Sequence, residues 1–587
     1  MDKKLRIAHV IAAIFVALPS FLTAVSCRMA PEEGNHVLHI YTTNDVHGRY
    51  FDSLYVGGGT RTSMMAVSAV IKEARTPYGA ENVILIDAGD GFQGDNAAYY
   101  SNYVDTVSRH IFARITEYMG YDALVVGNHD IETGHGVYDR LRRDLKMPYL
   151  AANAICDDNG KSYFDGYTVI RRHGLKILVA GFTNANIKGW LSPELWKGMN
   201  FRSLIPFVQE ELDRIRTKTK PDLVIVATHT GTGPGDGSQI ESQGRDLLYS
   251  IKGVDFLICS HDHRAYVEEN DGCHLINAGS HCRNIGHGIA GIKVEKGRVV
   301  SKSLSAELIE VDRNAVDEDM REEFAGFYSK VRELTVREVG ELAMPLVTRD
   351  AYTGMSDYVN LIHTVCLGCT PACISIAAPL TFNGTVPAGK ILFNDLFTIY
   401  PFENQLFIVK MTGRELKGHL ECSYDRWINA PAEGGHLLKI VQEPDRRTGA
   451  LRWTFDGMPY NFDSAAGVNY TVDVTKEYGN RIDITSLTDG TPFDPDATYN
   501  VAMTSYRASG GGGLLQEGAG IDTDRIDERV VARYPEIREL VLDFIEKYQI
   551  VTPELAGDRS LLGEWRFVPE DLANPMLEKD MKLLFGK

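Results

Sequence analysis

The stretch Gly127-Asn128-His129-Asp130 directly follows four apolar residues, 123–126. That apolar run is short, contains valines and ends at a glycine, which predicts a buried strand. Asn128 and His129 therefore lie where the strand gives way to a loop, the place where open α/β sheets bind ligands. Histidine is both a frequent metal ligand and a general acid or base. Taken alone, the tetrapeptide is also compatible with an ordinary turn.

Four further apolar runs end in polar residues of the same kind. A hydrophobic core does not require this pattern, because polar groups buried without partners are costly. Five strands would thus deliver aspartate, histidine and asparagine to one edge of one sheet, which predicts a functional site there. The runs span residues 38–41, 83–86, 223–227 and 256–259, and lead into Thr-Thr-Asn-Asp-Val-His-Gly from Thr42, Asp-Ala-Gly-Asp from Asp87, Thr-His-Thr from Thr228 and Ser-His-Asp-His from Ser260.

These side chains are of the types that bind divalent cations. Hard and borderline metal ions take carboxylate oxygen and imidazole nitrogen. Two such ions about 3.5–4 Å apart can clamp a phosphoryl group during its displacement. The sequence shows no His-Glu-x-x-His, Gly-x-Ser-x-Gly or Walker motif. It therefore predicts a metal-dependent phosphoric ester hydrolase with seven candidate ligands: Asp45, His47, Asp90, Asn128, His229, His261 and His263.

The five motifs in this order resemble the calcineurin-like metallophosphoesterases. In the second half, Ser-x-Ala-Ala-Pro from Ser375, Tyr-Asn-Phe-Asp from Tyr460 and Tyr-Arg-Ala-Ser-Gly-Gly from Tyr506 resemble an exported branch. That branch comprises 5′-nucleotidases, UDP-sugar hydrolases and 2′,3′-cyclic-nucleotide 2′-phosphodiesterase/3′-nucleotidases. The resemblance covers about residues 36–550. It implies an α/β fold, namely a four-layer metallophosphoesterase sandwich followed by a smaller α/β nucleotidase C-terminal domain.

The resemblance also implies roles for the residues. Two divalent cations, chosen from Zn, Mn, Mg, Ca and Co, would share Asp90 as a bridging ligand. His129 would not be a ligand, but would stabilise the phosphate or protonate the leaving oxygen. Either Asp130 or Glu132 would orient His129, and the pattern favours Glu132. By this resemblance one metal would be held by Asp45, His47, Asp90 and His263, and the other by Asp90, Asn128, His229 and His261.

Some residues favour one branch of this family and some favour another. His263 stands where 5′-nucleotidases usually have glutamine, and residues 378–381 lack their Gly-Gly-x-Arg motif. Both departures favour a 2′,3′-cyclic-nucleotide 2′-phosphodiesterase/3′-nucleotidase that releases phosphate and nucleoside. Pro-Phe-Glu-Asn at residues 401–404 favours the 5′-nucleotidase/UDP-sugar hydrolase alternative. Two further alternatives are a phosphatase for a non-nucleotide phosphoester and a metal-holding protein without turnover, although the intact His129 argues against the last.

Aromatic residues in the second half are candidates for binding a nucleobase. Bases stack on flat aromatic faces, and glycines let the backbone approach a ligand closely. Tyr506, which precedes the glycines at 510–513, is one candidate, and Tyr460 and Phe462 are others, although each ring could instead belong to the core. Arg507 would either pair with phosphate or be a surface charge.

The N-terminal residues and the composition indicate the compartment and the partners. Basic residues, an apolar run at 10–18 and small residues before Cys27 predict a lipoprotein signal peptide, followed by a tether at 28–35. We therefore expect export and attachment to the bacterial envelope through a lipid on Cys27. The net charge of −18 argues against a nucleic-acid polymer as partner. For the eight other cysteines, we expect buried thiols or one disulfide.

The remaining chain is expected to form two domains. A catalytic domain spans residues 36–312, and a substrate-binding nucleotidase C-terminal domain spans 339–560. The charged segment 313–338 is predicted to be a helical connector, with a surface helix of the first domain as the alternative. Residues 561–587 form a tail to which the sequence assigns no structure.

Overall fold

The structure, a computed structural model, describes residues 30–432, 434–444 and 450–586. The predicted signal peptide and the predicted lipid attachment at Cys27 lie outside the described residues. Within these ranges, no helix is both long enough and apolar enough to cross a bilayer. The eight cysteines found there all carry free thiols, which agrees with the thiol alternative rather than with a disulfide.

The first domain contains two six-stranded sheets with parallel centres. The second sheet is antiparallel at both edges, whereas the first is antiparallel only at the edge formed by its first two strands and ends in a parallel strand at the other edge. The first sheet, in spatial order, consists of Arg298–Glu310, Asn284–Glu295, Gly34–Thr43, Val83–Asp87, Ala123–Val125 and Tyr149–Leu150. The second consists of Ala265–Asn270, Cys273–Ala278, Phe256–Cys259, Leu223–Thr228, Leu175–Phe182 and Tyr167–Arg172.

The central strands are apolar on both faces because both faces are covered. One face of each sheet packs against the other sheet, where Ile40 and Ile84 share a buried cluster with Ile177 and Ile225. Helices cover the outer faces, which produces the predicted four-layer sandwich. The first sheet is covered by Met64–Tyr78, Asn96–Tyr99, Ile111–Met119, Asn128–Glu132, His135–Asp144 and Glu318–Thr335, and the second by Leu204–Thr219 and Gly244–Ser250.

The five strands that precede the polar motifs are divided between the two sheets, so the expectation of one sheet was wrong. Gly34–Thr43, Val83–Asp87 and Ala123–Val125 belong to the first sheet, whereas Leu223–Thr228 and Phe256–Cys259 belong to the second. The strand ends meet because the sheets are stacked face to face. A contact of 2.7 Å between His229 Nδ1 and the Ala88 carbonyl oxygen joins the two edges.

The helix Glu318–Thr335 packs on the first domain, since Met320, Phe324 and Val331 are buried in its cluster. Asp317 caps the helix by accepting the Met320 N–H at 3.2 Å. Leu334, in its last turn, contacts a core cluster of the second domain. The segment therefore is a helix of the first domain that also leads into the second.

The second domain surrounds a five-stranded mixed sheet, Ser464–Ala466, Ile374–Ala377, Thr498–Thr504, Gln405–Thr412 and Val530–Glu536. Two three-stranded sheets flank it: Gly389–Leu392 with Glu338–Leu342 and Ile550–Val551, and Ile482–Leu487 with Val468–Asp473 and Trp565–Val568. The helices are Asp357–Gly368, Leu396–Ile399, Gly413–Trp427, Ser505–Ala508, Ile537–Tyr548, Pro553–Ala556, Arg559–Leu562 and Glu570–Phe585. This domain also contains two two-stranded pairs, Leu346–Val347 with Thr385–Val386 and Ile440–Pro444 with Leu451–Phe455, and the first domain contains a third, Ala154–Cys156 with Met199–Phe201.

The tail belongs to the core of the second domain. Trp565–Val568 runs parallel to Val468–Asp473, and Trp565, Phe567 and Leu577 are buried in that domain's larger cluster. This strand could not be predicted from the sequence, because it has only four residues and the strand with which it pairs lies almost 100 positions earlier.

Candidate metal centre

The strand ends bring the predicted ligands together as two groups. In the first group, His47 Nε2 lies 3.0 Å from His263 Nε2, and both nitrogens face Asp45 Oδ1, at 3.9 and 3.6 Å respectively. Ring nitrogens that converge on a carboxylate oxygen have the arrangement of ligands around a cation.

The second group contains the remaining four residues. Asp90 Oδ2 lies 3.0 Å from His229 Nε2, and Asn128 Oδ1 lies 3.0 Å from the same nitrogen and 2.9 Å from His261 Nδ1. The other ring nitrogen of His229 contacts the Ala88 carbonyl oxygen and therefore carries the proton, which leaves Nε2 free to bind a metal. The role of Asp90 as a bridge to the first group stays a prediction.

The backbone around these ligands is held in the left-handed region. Each such residue costs about 1–3 kcal/mol, and such costs are concentrated at functional sites. The local structure therefore holds these side chains in position at a cost in backbone strain. Five of the seven predicted ligands have positive φ angles: Asp45 (48°), His47 (48°), Asp90 (57°), His261 (67°) and His263 (55°).

Position 127, beside the second group, requires glycine because there is no space for a side chain. A Cβ atom at Gly127 would lie 2.0 Å from Asp90 Oδ1 and 2.3 Å from the Asp90 nitrogen. The glycine of the Gly-Asn-His-Asp motif therefore allows the Asp90 carboxylate to sit against the loop that carries Asn128.

Both groups fit divalent cations. Among the described residues, Asp45 Oδ1 is a buried oxygen without a hydrogen-bond partner, and it lies 4.0 Å from His229 Nε2 as well as facing the first group. A buried carboxylate oxygen without a donor is costly unless a cation compensates it. Oxygen and imidazole donors of this kind suit Zn, Mn and related ions.

The charges within the centre are strongly coupled to one another. Burial, and after it the neighbouring Asp90, raise the pKa of Asp45 to about 8, against the effect of His229. Burial also acts to raise the pKa of Asp90, yet His229 and His129 hold it well below its usual range. Burial lowers the pKa of His261 to about 3, which keeps this imidazole neutral, as a metal ligand must be.

His129 lies beside the ligands with one ring nitrogen engaged. Its Nδ1 is 2.5 Å from Glu132 Oε2, and its backbone N–H donates to Asp90 Oδ1 at 2.9 Å. Burial opposes a charge on this ring, but Asp90 and Glu132 raise the pKa of His129 to about 10. Both carboxylates therefore favour the protonated form of the ring, and Nε2 is the ring nitrogen that Glu132 does not contact.

Asp130 has a different position. Its carboxylate accepts the Gly127 N–H at 2.8 Å, the Gly91 N–H at 3.1 Å and the Tyr149 hydroxyl at 3.1 Å. These hydrogen bonds use the Asp130 carboxylate to join the loop at Gly91 to the loop at Gly127. The carboxylate that contacts the His129 imidazole is therefore that of Glu132.

Two of the predicted base-binding rings stand together in the second domain. Tyr460 and Tyr506 are both partly exposed, and their rings meet edge to face at 6.2 Å. Gly511 lies directly under Tyr506, because a Cβ atom there would come within 2.4 Å of the ring. One tyrosine face is thus covered by backbone, whereas the glycine run was expected to bring the backbone close to a ligand.

Phe462 and Arg507 require correction as substrate-binding residues. Phe462 is 1% exposed and is stacked on Trp427 at 5.5 Å, so neither solvent nor a base reaches its ring. Arg507 is 3% exposed and donates from Nη2 to Asp463 Oδ1 at 2.9 Å and to the Tyr460 carbonyl oxygen at 2.9 Å. Both therefore support the tyrosine loops from within the core.

Several residues at the centre escaped the sequence analysis. Trp190 stacks on His261 with ring centroids 5.0 Å apart, and His281 lies 5.3 Å from His47. Neither follows a predicted strand motif, so no local pattern marks them. Glu403 of the second domain, which accepts the Tyr103 hydroxyl at 3.0 Å, was quoted only as part of a family motif.

Carboxylate, imidazole and amide donors gathered at the strand ends of a four-layer sandwich define the class of metal-dependent phosphoester hydrolases. Residues 38–265 match the family described as calcineurin-like phosphoesterase, and residues 335–517 match the 5′-nucleotidase C-terminal domain. The chain therefore combines a calcineurin-like phosphoesterase domain with a 5′-nucleotidase C-terminal domain, which confirms the resemblance and the fold class inferred from the sequence.

Similar proteins differ in their names and in their length. The trifunctional nucleotide phosphoesterase of Bacillus subtilis (strain 168) is 24% identical; the match covers 89% of this chain but only 39% of that protein. A 2′,3′-cyclic-nucleotide 2′-phosphodiesterase/3′-nucleotidase of Haemophilus influenzae is 25% identical, covering 93% of this chain and 90% of the relative. The fold is similar to that of a candidate 5′-nucleotidase from Staphylococcus aureus, with a TM-score of 0.73, 21% identity and coverage of 90% and 99%.

Proposed function

We propose that the protein hydrolyses nucleotide phosphoesters at a two-metal centre, and that 2′,3′-cyclic nucleotides and 3′-nucleotides are its preferred substrates. The observation that carries this proposal is the contact of the His129–Glu132 pair with the second ligand group. A ligand cluster alone would fit a binding protein, whereas an oriented imidazole beside it fits catalysis.

Each residue of the centre would have a distinct role in this reaction. Asp45, His47, Asp90 and His263 would hold one cation, and Asp90, Asn128, His229 and His261 the other. Two bound cations supply Lewis acidity toward the phosphoryl oxygens. His129 would donate the proton on Nε2 to the leaving oxygen, while Glu132 fixes the tautomer and the ring orientation through Nδ1.

Tyr460 and Tyr506 would receive the base. Their partly exposed rings are held by the buried Arg507–Asp463 pair, so the platform is rigid before a ligand arrives. A rigid aromatic platform reduces the entropy lost on binding.

The assignment of the branch is supported by His263. Its contact with His47 and its position 3.6 Å from Asp45 Oδ1 support a role as a ligand of the first group. A relative of 25% identity carries the cyclic-nucleotide name, whereas one of 22% identity from Vibrio vulnificus is named 5′-nucleotidase. The 5′-nucleotidase/UDP-sugar hydrolase alternative is supported by the Pro-Phe-Glu-Asn motif, and a non-nucleotide phosphatase would use the same metal centre.

Phosphate release from a substrate panel tests the proposal. We expect the metal-loaded protein to act on 2′,3′-cyclic AMP and 3′-AMP more efficiently than on 5′-AMP, UDP-glucose or p-nitrophenyl phosphate. Turnover of 5′-AMP alone would favour the 5′-nucleotidase alternative. Turnover of p-nitrophenyl phosphate alone would favour a non-nucleotide substrate.

His129→Ala tests the catalytic part separately. Loss of a general acid should lower kcat roughly 10²–10⁴-fold while both metal equivalents are retained. Metal analysis by mass spectrometry provides the control, since loss of metal would make His129 a ligand. An unchanged rate would show that His129 is not the general acid, whereas absence of turnover in the wild type would leave a metal-holding protein as the better description.

We also propose that the protein is exported and anchored to the bacterial envelope by a lipid on Cys27. The basic residues, the apolar run and the small residues before Cys27 support this. Labelling with a radioactive fatty acid should mark the wild type and not Cys27→Ser; label on both variants would contradict the anchor.

A further inference from the structure

The ring of His261, in the second ligand group, is not held by a hydrogen bond on its far side. Its Nδ1 lies 2.9 Å from Asn128 Oδ1 and therefore faces the group, but its Nε2 has no hydrogen-bond partner among the described residues. In His229, by contrast, the nitrogen that faces away from the group contacts the Ala88 carbonyl oxygen at 2.7 Å. Such a contact usually fixes the ring of a histidine ligand. The His261 ring must therefore be oriented in another way.

The indole ring of Trp190 lies on a face of this imidazole. The ring centroids are 5.0 Å apart and the ring planes differ by 27°, which is the stacked arrangement that flat rings prefer. The His229 ring meets the same imidazole edge to face at 5.5 Å. The orientation of His261 is thus restrained by ring contacts, and the larger of the two rings belongs to a residue outside the ligand set.

Trp190 is itself held firmly by the loop that joins the strands Leu175–Phe182 and Met199–Phe201. The N–H groups of Trp190 and Leu191 both donate to the Ile187 carbonyl oxygen, at 3.1 and 2.9 Å, and the Ile187 side chain is fully buried. The half-buried indole packs against the core of the first domain.

The loop is anchored to both domains. Before the turn, Asn184 Nδ2 donates to the Glu241 carbonyl oxygen at 3.1 Å within the first domain. After the turn, the buried Ser192 hydroxyl donates to Gln405 Oε1 at 3.4 Å, and Glu194 lies 3.5 Å from Arg533 Nη2. Gln405 and Arg533 belong to the second domain, so contacts from two sides determine where the indole lies.

We infer that Trp190 is a positioning residue for the second cation, because its flat ring holds the imidazole of His261 in the orientation that binds the metal. This inference rests on the proposed function and deepens it, since it assigns a role to a residue that acts through a ligand. A ring that is already restrained loses less rotational freedom when the cation binds. Loss of such a supporting contact weakens metal binding about 10- to 100-fold.

Calorimetric titration of the metal-free protein with Mn²⁺ tests this role without any substrate. Trp190→Leu keeps an apolar side chain in the loop but removes the flat face, so one of the two binding steps should weaken about 10-fold. Trp190→Phe keeps a flat ring and should stay within about threefold of the wild type at that step. The other step, assigned to the first ligand group, should not change in either variant.

Trp453→Leu is the matched control, because the Trp453 indole also lies beside an imidazole, that of His436 in the second domain, at 4.9 Å. Both binding steps should equal those of the wild type. An unchanged affinity in Trp190→Leu, or a loss in Trp190→Phe as large as in Trp190→Leu, would overturn the inference. Equal weakening of both steps, or an equal loss in Trp453→Leu, would indicate a general disturbance of the fold and would also contradict it.

Fluorescence provides a signature that a merely structural role would not produce. A bound Co²⁺ quenches an indole close to it, and Trp190 is the one of the five tryptophans that stacks on a predicted ligand. Binding of Co²⁺ should quench the wild type, and most of this quenching should disappear in Trp190→Phe although the ion still binds. Quenching of the same size in both proteins would show that Trp190 does not lie beside the cation.

The dependence of 3′-AMP hydrolysis on Mn²⁺ separates positioning of the cation from contact with the substrate. Trp190→Leu should need about 10-fold more Mn²⁺ for its half-maximal rate but reach the maximal rate of the wild type. A lower maximal rate at saturating Mn²⁺ would make Trp190 a substrate contact and contradict the inference. Absence of hydrolysis in the wild type, with the calorimetric loss retained in Trp190→Leu, would reject the proposed function alone. Absence of a second binding step in the wild type would contradict both.

Discussion

At the scale of single residues, Asp90 stands between the metal ligands and His129. One of its oxygens faces His229 and the other accepts the His129 N–H. If Asp90 is a ligand of both metals, Asp90→Asn should strongly weaken the binding of both ions. His47→Ala should mainly weaken the binding of one ion. Metal analysis of the purified variants measures this. Two equivalents retained by Asp90→Asn would show that the ligand assignment is wrong.

Gly127 offers a second prediction at this scale. Gly127→Ala should displace the Asp90 carboxylate, because the added Cβ would overlap Asp90 Oδ1. We expect the affinity for the second cation to fall at least about 10-fold, as when a supporting partner of a ligand is removed. Isothermal titration with Mn²⁺ measures the change. Gly136→Ala is the control, since a Cβ there meets nothing within 4 Å, and an equal loss in both variants would refute the steric explanation.

At the scale of elements, the strand-end motifs could be predicted from the sequence because strands and their terminal polar residues are local patterns. All five strands and the contact of Glu132 with His129 fall where the motifs indicate. The environments of Phe462 and Tyr506 could not be separated, because burial depends on Trp427, Asp463 and Gly511, which are distant in the chain.

The loops that carry Tyr506 and Phe462 lead to a paired prediction. Tyr506→Ala should raise the KM for nucleotides about 5- to 150-fold, since stacking contributes roughly 1–3 kcal/mol per base. Hydrolysis of p-nitrophenyl phosphate, which has no base, should change much less. Kinetics on both substrates measure the difference. An equal loss on both would show that Tyr506 does not contact the base.

Phe462→Ala is the counterpart of this variant. Because Phe462 is buried against Trp427, its truncation should lower the free energy of unfolding by about 3–5 kcal/mol. Tyr506→Ala should have a smaller effect, since its ring is partly exposed. Thermal denaturation compares the two, and a stability loss in Tyr506→Ala as large as that in Phe462→Ala would contradict the assignment.

At the scale of the whole molecule, the two domains meet around buried carboxylates. Glu403 accepts the hydroxyl of Tyr103 from the first domain, and Arg538 Nη1 lies 3.9 Å from its other oxygen. Burial raises the pKa of Glu403 to about 7 and that of Glu536 to about 8, and the nearby Glu132 adds to both. Burial at the interface therefore favours the protonated form of both carboxyl groups.

The sign of the resulting pH dependence follows from linkage. An unfolded glutamate has a pKa of about 4.3, so the folded state binds more protons than the unfolded state between about pH 4.3 and 8. The stability contributed by these groups is complete below that window and is lost as the pH rises through about 7–8. Glu403→Gln, which is always neutral, should therefore lose less thermal stability than the wild type as the pH rises from about 4 to about 7.

Melting curves across this pH range test the prediction. Glu210→Gln, on the exposed surface of the helix Leu204–Thr219, serves as the control and should follow the wild type. Parallel curves for the wild type and Glu403→Gln would show that Glu403 does not hold a proton in the folded protein.

The left-handed backbone at Asp45, His47, Asp90, His261 and His263 has a consequence for the protein in its surroundings. Each of these residues disfavours folding by about 1–3 kcal/mol, and a ligand that binds only the folded state offsets such terms by mass action. The persistence of the folded enzyme should thus follow the concentration of divalent cations around it. Metal starvation would then shorten its lifetime as well as stop its chemistry, so that nutrient supply would set how much enzyme survives.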